Sequence, residues 1–196
     1  ENGDTVDGDK LLGALCVYLS SKGLLKGEAC VATVMSNKAL EDYLDSFDLK
    51  LNRTDVGDKN VLVNMKENHI NFGGEQSGHV IFSDVSKTGD GLATALQVLA
   101  YVLESGKKAS EALNKFELYP QVLKNIKVNE KIPLDKIEGL KELQAEIKSK
   151  GMRDLIRYSG TENKLRVLIE GRDKKLVNEY MDKLIEFLTK KLWIKN

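Results

Sequence analysis

The stretch CVATVM, residues Cys30–Met35, is almost continuously apolar and has polar residues on both sides. A short run of this kind is typical of a β-strand that is buried on both faces of a sheet. Leucines at positions 11, 15 and 19 lie on one face of a helix that precedes it. Asn37, just after it, is suited to cap the next helix. The stretch therefore predicts an inner strand between two helices.

The alternation of strands and helices continues to residue 116. Short strand candidates lie at Ile70–Phe72 and Val80–Phe82, and a long helix with leucines at positions 92, 96, 99 and 103 begins after Gly89. Strands that alternate with helices of this length indicate a layered α/β domain with a mostly parallel sheet. We assign this domain to residues 1–117.

The remainder, residues 118–196, follows a different pattern. Strand candidates lie at Val122–Val128, Met152–Arg157 and Leu165–Ile169. Apolar residues at helical spacing predict one helix before the second strand and another after the third. One antiparallel sheet with helices on one side satisfies the order β-α-β-β-α. The prediction for this part is a smaller α+β domain.

The charges balance over the chain but are unevenly distributed. There are 30 Lys and Arg and 30 Asp and Glu, which argues against a general nucleic-acid or acidic-membrane binder. Residues 1–118 carry 12 basic and 18 acidic side chains, and the rest carries 18 and 12. No apolar run approaches the ~20 residues that span a bilayer, and Cys16 and Cys30 fit buried thiols in a reducing cytoplasm. We expect a soluble cytoplasmic protein with no nucleic-acid and no membrane partner.

The stretch RYSGTENKLRV, residues 157–167, joins two strand candidates through a small polar turn. Its hydroxyl and amide donors surround a glycine that lets a ligand approach closely, and its two arginines are able to hold phosphate oxygens in a bidentate manner. A plain hairpin turn with solvated arginines explains the same residues equally well. The candidate phosphate contacts are Arg157, Ser159, Gly160, Thr161 and Arg166.

The stretch GGEQSGH, residues 73–79, is the second candidate site. It places a carboxylate, an amide, a hydroxyl and an imidazole between two strands, a set that suits the hydroxyl groups of a sugar. A glycine-rich reversal with a structural histidine is a slightly better explanation on composition alone. The candidate sugar contacts are Glu75, Gln76, Ser77 and His79.

A third stretch places Asp58 and Lys59 after Gly57 at the start of a predicted helix. Backbone N–H groups attract an anion at such a position, although ordinary capping by Asp58 accounts for the residues as well. The sequence contains no His/Cys metal cluster, no Walker loop and no Gly-x-Ser-x-Gly elbow. The chain begins at Glu1 rather than at a methionine, and we expect it to be a piece of a longer protein.

Taken together, these motifs resemble those of the α-D-phosphohexomutase superfamily. The resemblance rests on GGEQSGH at 73–79 and RYSGTE at 157–162, with support from VDGDK at 6–10, RTDVGDK at 53–59 and TGDG at 88–91. Within the superfamily the chain looks most like the bacterial phosphoglucosamine mutases. The resemblance covers essentially the whole chain.

This resemblance implies the C-terminal half, domains 3 and 4, of a four-domain isomerase. Such enzymes of amino-sugar metabolism interconvert glucosamine 6-phosphate and glucosamine 1-phosphate, on the way to UDP-N-acetylglucosamine and peptidoglycan. They use a phosphoserine, a bisphosphorylated sugar intermediate and Mg²⁺. The resemblance implies that the serine and the Mg²⁺ ligands lie in missing N-terminal domains of the same protein. We therefore expect a fragment that binds a hexosamine phosphate but is inactive alone.

The resemblance also implies roles for individual residues. It places Glu75 and Ser77 on the sugar hydroxyls, with Gln76 in the same loop and His79 nearby. Asp58 faces the reacting end of the sugar, so His79 and Asp58 are candidate proton-transfer helpers. The resemblance places Arg157, Ser159, Gly160 and Thr161 on the phosphate that does not react.

The chain departs from the superfamily pattern at three positions. Tyr158 and Asn163 replace two prolines of the phosphate loop, and Lys59 stands where an arginine is usual. The loss of the prolines frees two backbone angles, and the lysine gives up bidentate geometry. A fragment of a phosphoglucomutase or phosphomannomutase, or a non-catalytic sugar-phosphate-binding module, remains as an alternative.

Overall fold

The computed structural model describes residues 1–192, and the chain divides into two compact units, Glu1–Leu118 and Tyr119–Asn196. Each unit has its own sheet and its own apolar core. The first sheet is mostly parallel and the second is antiparallel, so both predicted fold classes are confirmed. No helix among residues 1–192 combines the length and apolar character that crossing a membrane requires.

The first unit alternates strands and helices as its sequence pattern predicts. The strand order is β2-β1-β3-β4, with β1 parallel to both of its neighbours and β4 antiparallel to β3. All five residues of β1 are buried, which explains why this part of the chain is so apolar. Its elements are α1 (Gly8–Ser21), β1 (Ala29–Thr33), α2 (Lys38–Asp45), β2 (Lys50–Thr54), α3 (Asp58–Glu67), β3 (Phe72–Gly74), β4 (Val80–Phe82), α4 (Gly91–Ser105) and α5 (Ala109–Ala112).

Helices cover both faces of this sheet. On one face, Val61 and Met65 of α3 pack with Val31 of β1. On the other face, α1 and α2 contribute Leu12 and Leu40 to a larger cluster. Full burial of side chains of this size stabilises the fold by about 1.5–3 kcal/mol each. The sheet is therefore held between two helical layers.

Helix α4 packs against the rest of the first unit through its less apolar side. Thr94 is buried, and Val98 and Tyr101 pack against the larger cluster. The leucines that marked this helix in the sequence, at positions 92, 96, 99 and 103, are instead exposed. Periodicity identified the helix but not its orientation, because the helix is apolar on both sides.

The second unit is an antiparallel sheet of order β5-β7-β6 with two helices on one face. Leu165 and Val167 point into the core formed with Ile147 and Met181 of the helices. Because side chains alternate along a strand, Arg166 points to the opposite face. Its elements are β5 (Gln121–Lys127), a 3-10 turn (Leu134–Lys136), α6 (Leu140–Ser149), β6 (Arg153–Tyr158), β7 (Lys164–Glu170) and α7 (Lys174–Lys191).

Candidate functional site

The β6–β7 hairpin places Arg157 directly opposite Arg166. Paired residues of antiparallel strands point to the same face, so both guanidinium groups lie on the sheet face away from the helices. Within residues 1–192 no carboxylate oxygen lies within 4.0 Å of either group. Like charges directly opposite each other destabilise a sheet. The pair is therefore poised to accept an anion.

The turn between these strands carries the other predicted phosphate contacts. Ser159 is buried, and its N–H donates to the carbonyl of Lys164 at 2.8 Å, which closes the hairpin. Gly160 and Thr161 are exposed, and their N–H groups donate to no group in the described part of the chain. The sequence-predicted phosphate residues are thus brought together, with two backbone donors available beside two arginines.

Gly160 is not required by the fold. Its φ angle lies outside the left-handed region that a glycine turn exploits. A Cβ atom added there would meet nothing within 4 Å. Neither turn geometry nor packing therefore explains this glycine, which counts against the plain-turn interpretation. Close approach of a ligand to the backbone does explain it.

Three side-chain and backbone contacts hold this turn in place of the absent prolines. The hydroxyl of Tyr158 donates to the carbonyl of Ile132 at 2.7 Å, and the carbonyl of Asn163 accepts from Val128 N–H at 2.9 Å. The ammonium group of Lys131 donates to the Ser159 carbonyl at 2.7 Å. Sequence reasoning missed Lys131, because it lies 28 residues before Ser159 in a segment without a motif.

Glu75 is the best-held side chain of the 73–79 loop. One carboxylate oxygen, Oε1, accepts from the N–H of Gly57 at 3.0 Å, and the side chain is only 14% exposed. The other oxygen, Oε2, lies 4.0 Å from Nδ1 of His79. That nitrogen is also 3.2 Å from the Ser77 hydroxyl, and the imidazole is 65% exposed. Glu75, Ser77 and His79 therefore share one patch of surface.

The glycines of this loop and Gln76 have structural roles. A Cβ atom on Gly73 would lie 2.6 Å from the carbonyl oxygen of Val31 in β1. Gly78 has a φ angle of 94°, which favours glycine. The carbonyl of Gln76 accepts from Gly8 N–H at 3.2 Å, at the start of α1, whereas its side chain makes no hydrogen bond within residues 1–192. The glycine-rich reversal thus explains the glycines but not the hydroxyl and the imidazole.

Asp58 and Lys59 begin helix α3 next to this loop. Gly57 is the N-cap residue, and the Asp58 carboxylate accepts from the N–H of Lys59 at 2.7 Å. Both side chains are exposed. The Gly57–Glu75 hydrogen bond ties the start of α3 to the 73–79 loop. The predicted sugar contacts and Asp58 are therefore neighbours at the carboxyl ends of β2 and β3.

Arg53, which lies in the same stretch of sequence, does not face an open site. One of its guanidinium nitrogens donates to the Ser36 carbonyl at 2.6 Å, and another lies 3.4 Å from the Glu41 carboxylate. The arginine therefore anchors the loop between β1 and α2. Only Asp58 and Lys59 remain as candidate ligand contacts of this stretch.

Asp9 holds the loop after β1, a role that sequence reasoning missed. Its carboxylate is buried and accepts from Asn37 N–H at 2.7 Å, in the loop after β1. Burial raises the pKa of Asp9 to about 6, against the lowering effect of the hydrogen bond from Asn37. The N-cap residue of α1 is the neighbouring Asp7. Nothing in the local sequence indicates that an acidic residue close to a helix cap is buried.

The sequence matches two family models. Residues 7–119 match phosphoglucomutase/phosphomannomutase, alpha/beta/alpha domain III, and residues 123–187 match phosphoglucomutase/phosphomannomutase, C-terminal domain. The phosphoglucosamine mutase of Aliarcobacter butzleri is 66% identical over 192 residues, and that of Campylobacter concisus is 58% identical over 192 residues. Each alignment covers 98% of this chain and 43% of the relative. The chain therefore spans less than half the length of these relatives.

Solved structures of similar fold include Aspergillus fumigatus N-acetylphosphoglucosamine mutase in complex with GlcNAc-6P and magnesium. Its TM-score is 0.72 at 20% identity, over 98% of this chain and 46% of that one. A phosphoglucomutase/phosphomannomutase family protein from Burkholderia thailandensis has a TM-score of 0.71 at 19% identity, over 97% of this chain and 43% of that one. At these identities the likeness establishes the fold alone.

Proposed function

The chain belongs to the phosphoglucomutase/phosphomannomutase family, and we propose from this that it is the substrate-binding part of a phosphoglucosamine mutase. The whole protein interconverts glucosamine 6-phosphate and glucosamine 1-phosphate in the cytoplasm. The high identity to bacterial phosphoglucosamine mutases supports this choice of substrate. Residues 1–117 contact the sugar, and residues 118–196 contact its phosphate.

The phosphate role rests on the facing arginines of the β6–β7 hairpin. Arg157 and Arg166 supply fork-shaped donors that match phosphate oxygens. The amides of Gly160 and Thr161 and the Ser159 hydroxyl add further donors in the adjoining turn. These groups hold the phosphate that is not being transferred, which leaves the other end of the sugar for reaction.

The sugar role rests on the 73–79 loop. Gly57 N–H donates a hydrogen bond to Oε1 of Glu75. The other oxygen, Oε2, is therefore available to accept a hydrogen bond from a sugar hydroxyl. The Ser77 hydroxyl and the amide of Gln76 extend this set of polar contacts. In this proposal the imidazole of His79, which is exposed, and the carboxylate of Asp58 exchange protons with the sugar oxygens.

The phosphoryl transfer itself is assigned to the domains that precede this region in the relatives. Within residues 1–192 no group of three or more His, Cys, Asp or Glu side chains is arranged to hold a metal ion. We therefore assign no step in this chain to Mg²⁺, which would neutralise phosphate charge where its ligands are present. The partners of this chain are a hexosamine phosphate and the preceding domains.

Ligand-induced thermal stabilisation tests the phosphate role. Glucosamine 6-phosphate raises the Tm of the wild-type chain beyond the effect of sodium chloride at equal ionic strength. In Arg166→Gln the apparent affinity falls by about ten- to a hundredfold, because charge-assisted hydrogen bonds to phosphate are lost. Arg172→Gln, which removes a guanidinium group bonded to Tyr119 outside the hairpin, keeps the wild-type response. Equal affinities of wild type and Arg166→Gln would contradict the proposal.

A further inference from the structure

One peptide unit of the β6–β7 turn joins Ser159 to Gly160. It carries the Ser159 carbonyl at one end and the Gly160 N–H at the other. A trans peptide is planar, so these two groups point in opposite directions. A contact that holds the carbonyl therefore also sets the direction in which the Gly160 N–H points.

Lys131 holds this carbonyl. Its ammonium group donates to the Ser159 oxygen at 2.7 Å, and no other group in the described part of the chain bonds to this peptide unit. The preceding peptide unit is fixed separately, because Ser159 N–H donates to the Lys164 carbonyl at 2.8 Å. Glycine itself restricts the backbone very little. Lys131 is therefore the contact that orients the Ser159–Gly160 peptide.

The segment that carries Lys131 is held in place on both sides of it. Val128 N–H donates to the Asn163 carbonyl at 2.9 Å, and the Ile132 carbonyl accepts from the Tyr158 hydroxyl at 2.7 Å. Val128 is buried in the core of the second unit, and Ile132 packs against that core. The backbone from which the lysine side chain extends is therefore fixed relative to the hairpin.

The charge of Lys131 strengthens the donor at the other end of the peptide. Within residues 1–192 the ammonium group pairs with no carboxylate, so its charge is not neutralised. Hydrogen bonds that are linked through one peptide polarise each other, so the bond to the carbonyl makes the Gly160 N–H a better donor. That N–H points away from the Ser159 oxygen and from the ammonium group bonded to it. It is therefore both oriented and polarised for an anion.

We propose that Lys131 is a positioning residue for phosphate binding. It acts through the Ser159–Gly160 peptide, whose N–H it directs to a phosphate oxygen, and it does not itself touch the sugar phosphate. The competing explanation is that Lys131 contributes only one more positive charge near the turn. The inference rests on the proposed phosphate role of this turn, and it adds to that role a residue that lies outside the motif.

Isothermal titration of glucosamine 6-phosphate into three variants tests the proposal. In Lys131→Met, which removes the ammonium group at similar side-chain length, we expect the affinity to fall about three- to tenfold. Lys131→Arg keeps a donor for the carbonyl and recovers most of the affinity. Lys136→Met is the matched control and binds as wild type does. It removes an exposed positive charge whose side chain makes no hydrogen bond within residues 1–192.

NMR spectra of the chain without ligand report on the peptide directly. In Lys131→Met the carbonyl carbon of Ser159 moves upfield and the amide signals of Gly160 shift, because the hydrogen bond to this peptide is lost. The signals of helix α7 stay at their wild-type positions. On addition of inorganic phosphate, the Gly160 amide proton moves downfield in wild type and moves less far in Lys131→Met.

The outcomes separate this inference from the proposed function. Equal affinities of wild type and Lys131→Met, while Arg166→Gln binds more weakly, would overturn the inference and leave the phosphate role standing. The same holds for an equal loss in Lys136→Met, for a Lys131→Arg chain that binds no better than Lys131→Met, and for Ser159 and Gly160 signals that do not change. A wild-type chain that binds no glucosamine 6-phosphate would overturn the proposed function and the inference with it.

Discussion

Glycine serves two different needs in the two candidate loops. Gly73 is confined by the backbone of β1, so a side chain there would collide with the Val31 carbonyl. Gly160 has open space around its Cα and an ordinary φ angle. The fold explains the first glycine, and the proposed phosphate contact would explain the second. The sequence showed both as loop glycines and gave no means to separate them.

Gly160→Ala tests this distinction. We expect the Tm of the chain without ligand to remain unchanged, because the new methyl group meets no atom. We expect weaker binding of glucosamine 6-phosphate, because the methyl group stands where the phosphate approaches the backbone. Isothermal titration calorimetry measures the affinity. Gly91→Ala, at a similarly open position that starts α4, is the matched control and keeps wild-type affinity. Wild-type affinity in Gly160→Ala would remove the glycine from the site.

Asp9→Asn should change how stability depends on pH. The pKa of Asp9 is about 6 in the folded chain, against 3.8 for the ordinary carboxyl, so between these values the folded chain holds more protons than the unfolded one. The stability that protonated Asp9 provides is present below pH 4 and is lost as pH rises to about 6. The loss is about 3 kcal/mol at about 1.4 kcal/mol per pKa unit.

Urea unfolding at intervals from pH 4 to pH 7 measures this effect. The free energy of unfolding of wild type falls relative to that of Asp9→Asn across the window, because asparagine does not ionise. The asparagine side chain still accepts from Asn37 N–H, so the loop after β1 is retained. Parallel curves for the two proteins would show that the carboxyl titrates normally.

The elements of both units follow their local sequence signals closely. Asn37 caps α2 as its position predicts, and the apolar stretch at 30–35 overlaps the inner strand β1. These features depend on neighbours in sequence, so the sequence predicts them. The exposed side of α4, the contact of Lys131 with Ser159 and the burial of Asp9 depend on residues distant in the chain. No local pattern encodes such contacts.

A buried ion pair joins β6 and β7. Arg153 pairs with Glu170 across the two strands at 2.5 Å, and the Glu170 side chain is fully buried. Arg153→Met removes the guanidinium group that pairs with this buried carboxylate, which costs about 3–5 kcal/mol of unfolding free energy. The double variant Arg153→Met/Glu170→Met recovers most of this loss. Urea unfolding followed by circular dichroism measures both, and a double variant no more stable than Arg153→Met would refute this account.

At the scale of the whole molecule, the proposed contacts are divided between the two units. The 73–79 loop and the start of α3 belong to the first unit, and the arginine hairpin belongs to the second. Each unit is recognisable from its own strand and helix order. The motifs of the two loops, rather than any single residue, made the resemblance specific.

This chain spans less than half the length of its relatives, and this leads to a prediction about activity. This chain alone converts no glucosamine 1-phosphate to glucosamine 6-phosphate, even with Mg²⁺ and glucose 1,6-bisphosphate, because it spans 43% of the length of its relatives. We expect the longer polypeptide, which includes the preceding domains, to be active and its kcat/KM to be higher for glucosamine phosphate than for glucose or mannose phosphates. A coupled assay measures all three. Turnover by this chain alone, or a preference for glucose or mannose phosphate, would contradict the proposal.

The proposed phosphate role of the facing arginines in the β6–β7 hairpin opposes their effect on stability. Without an anion, Arg157 and Arg166 repel each other, and a neutral side chain at either position relieves a repulsion of about 0.2–1 kcal/mol. Laboratory evolution that selects this chain for heat resistance in the absence of ligand would therefore favour loss of one arginine. Such selection would yield a protein that is more stable to heat and binds phosphate less tightly. Including a sugar phosphate in the screen would reverse the direction of selection.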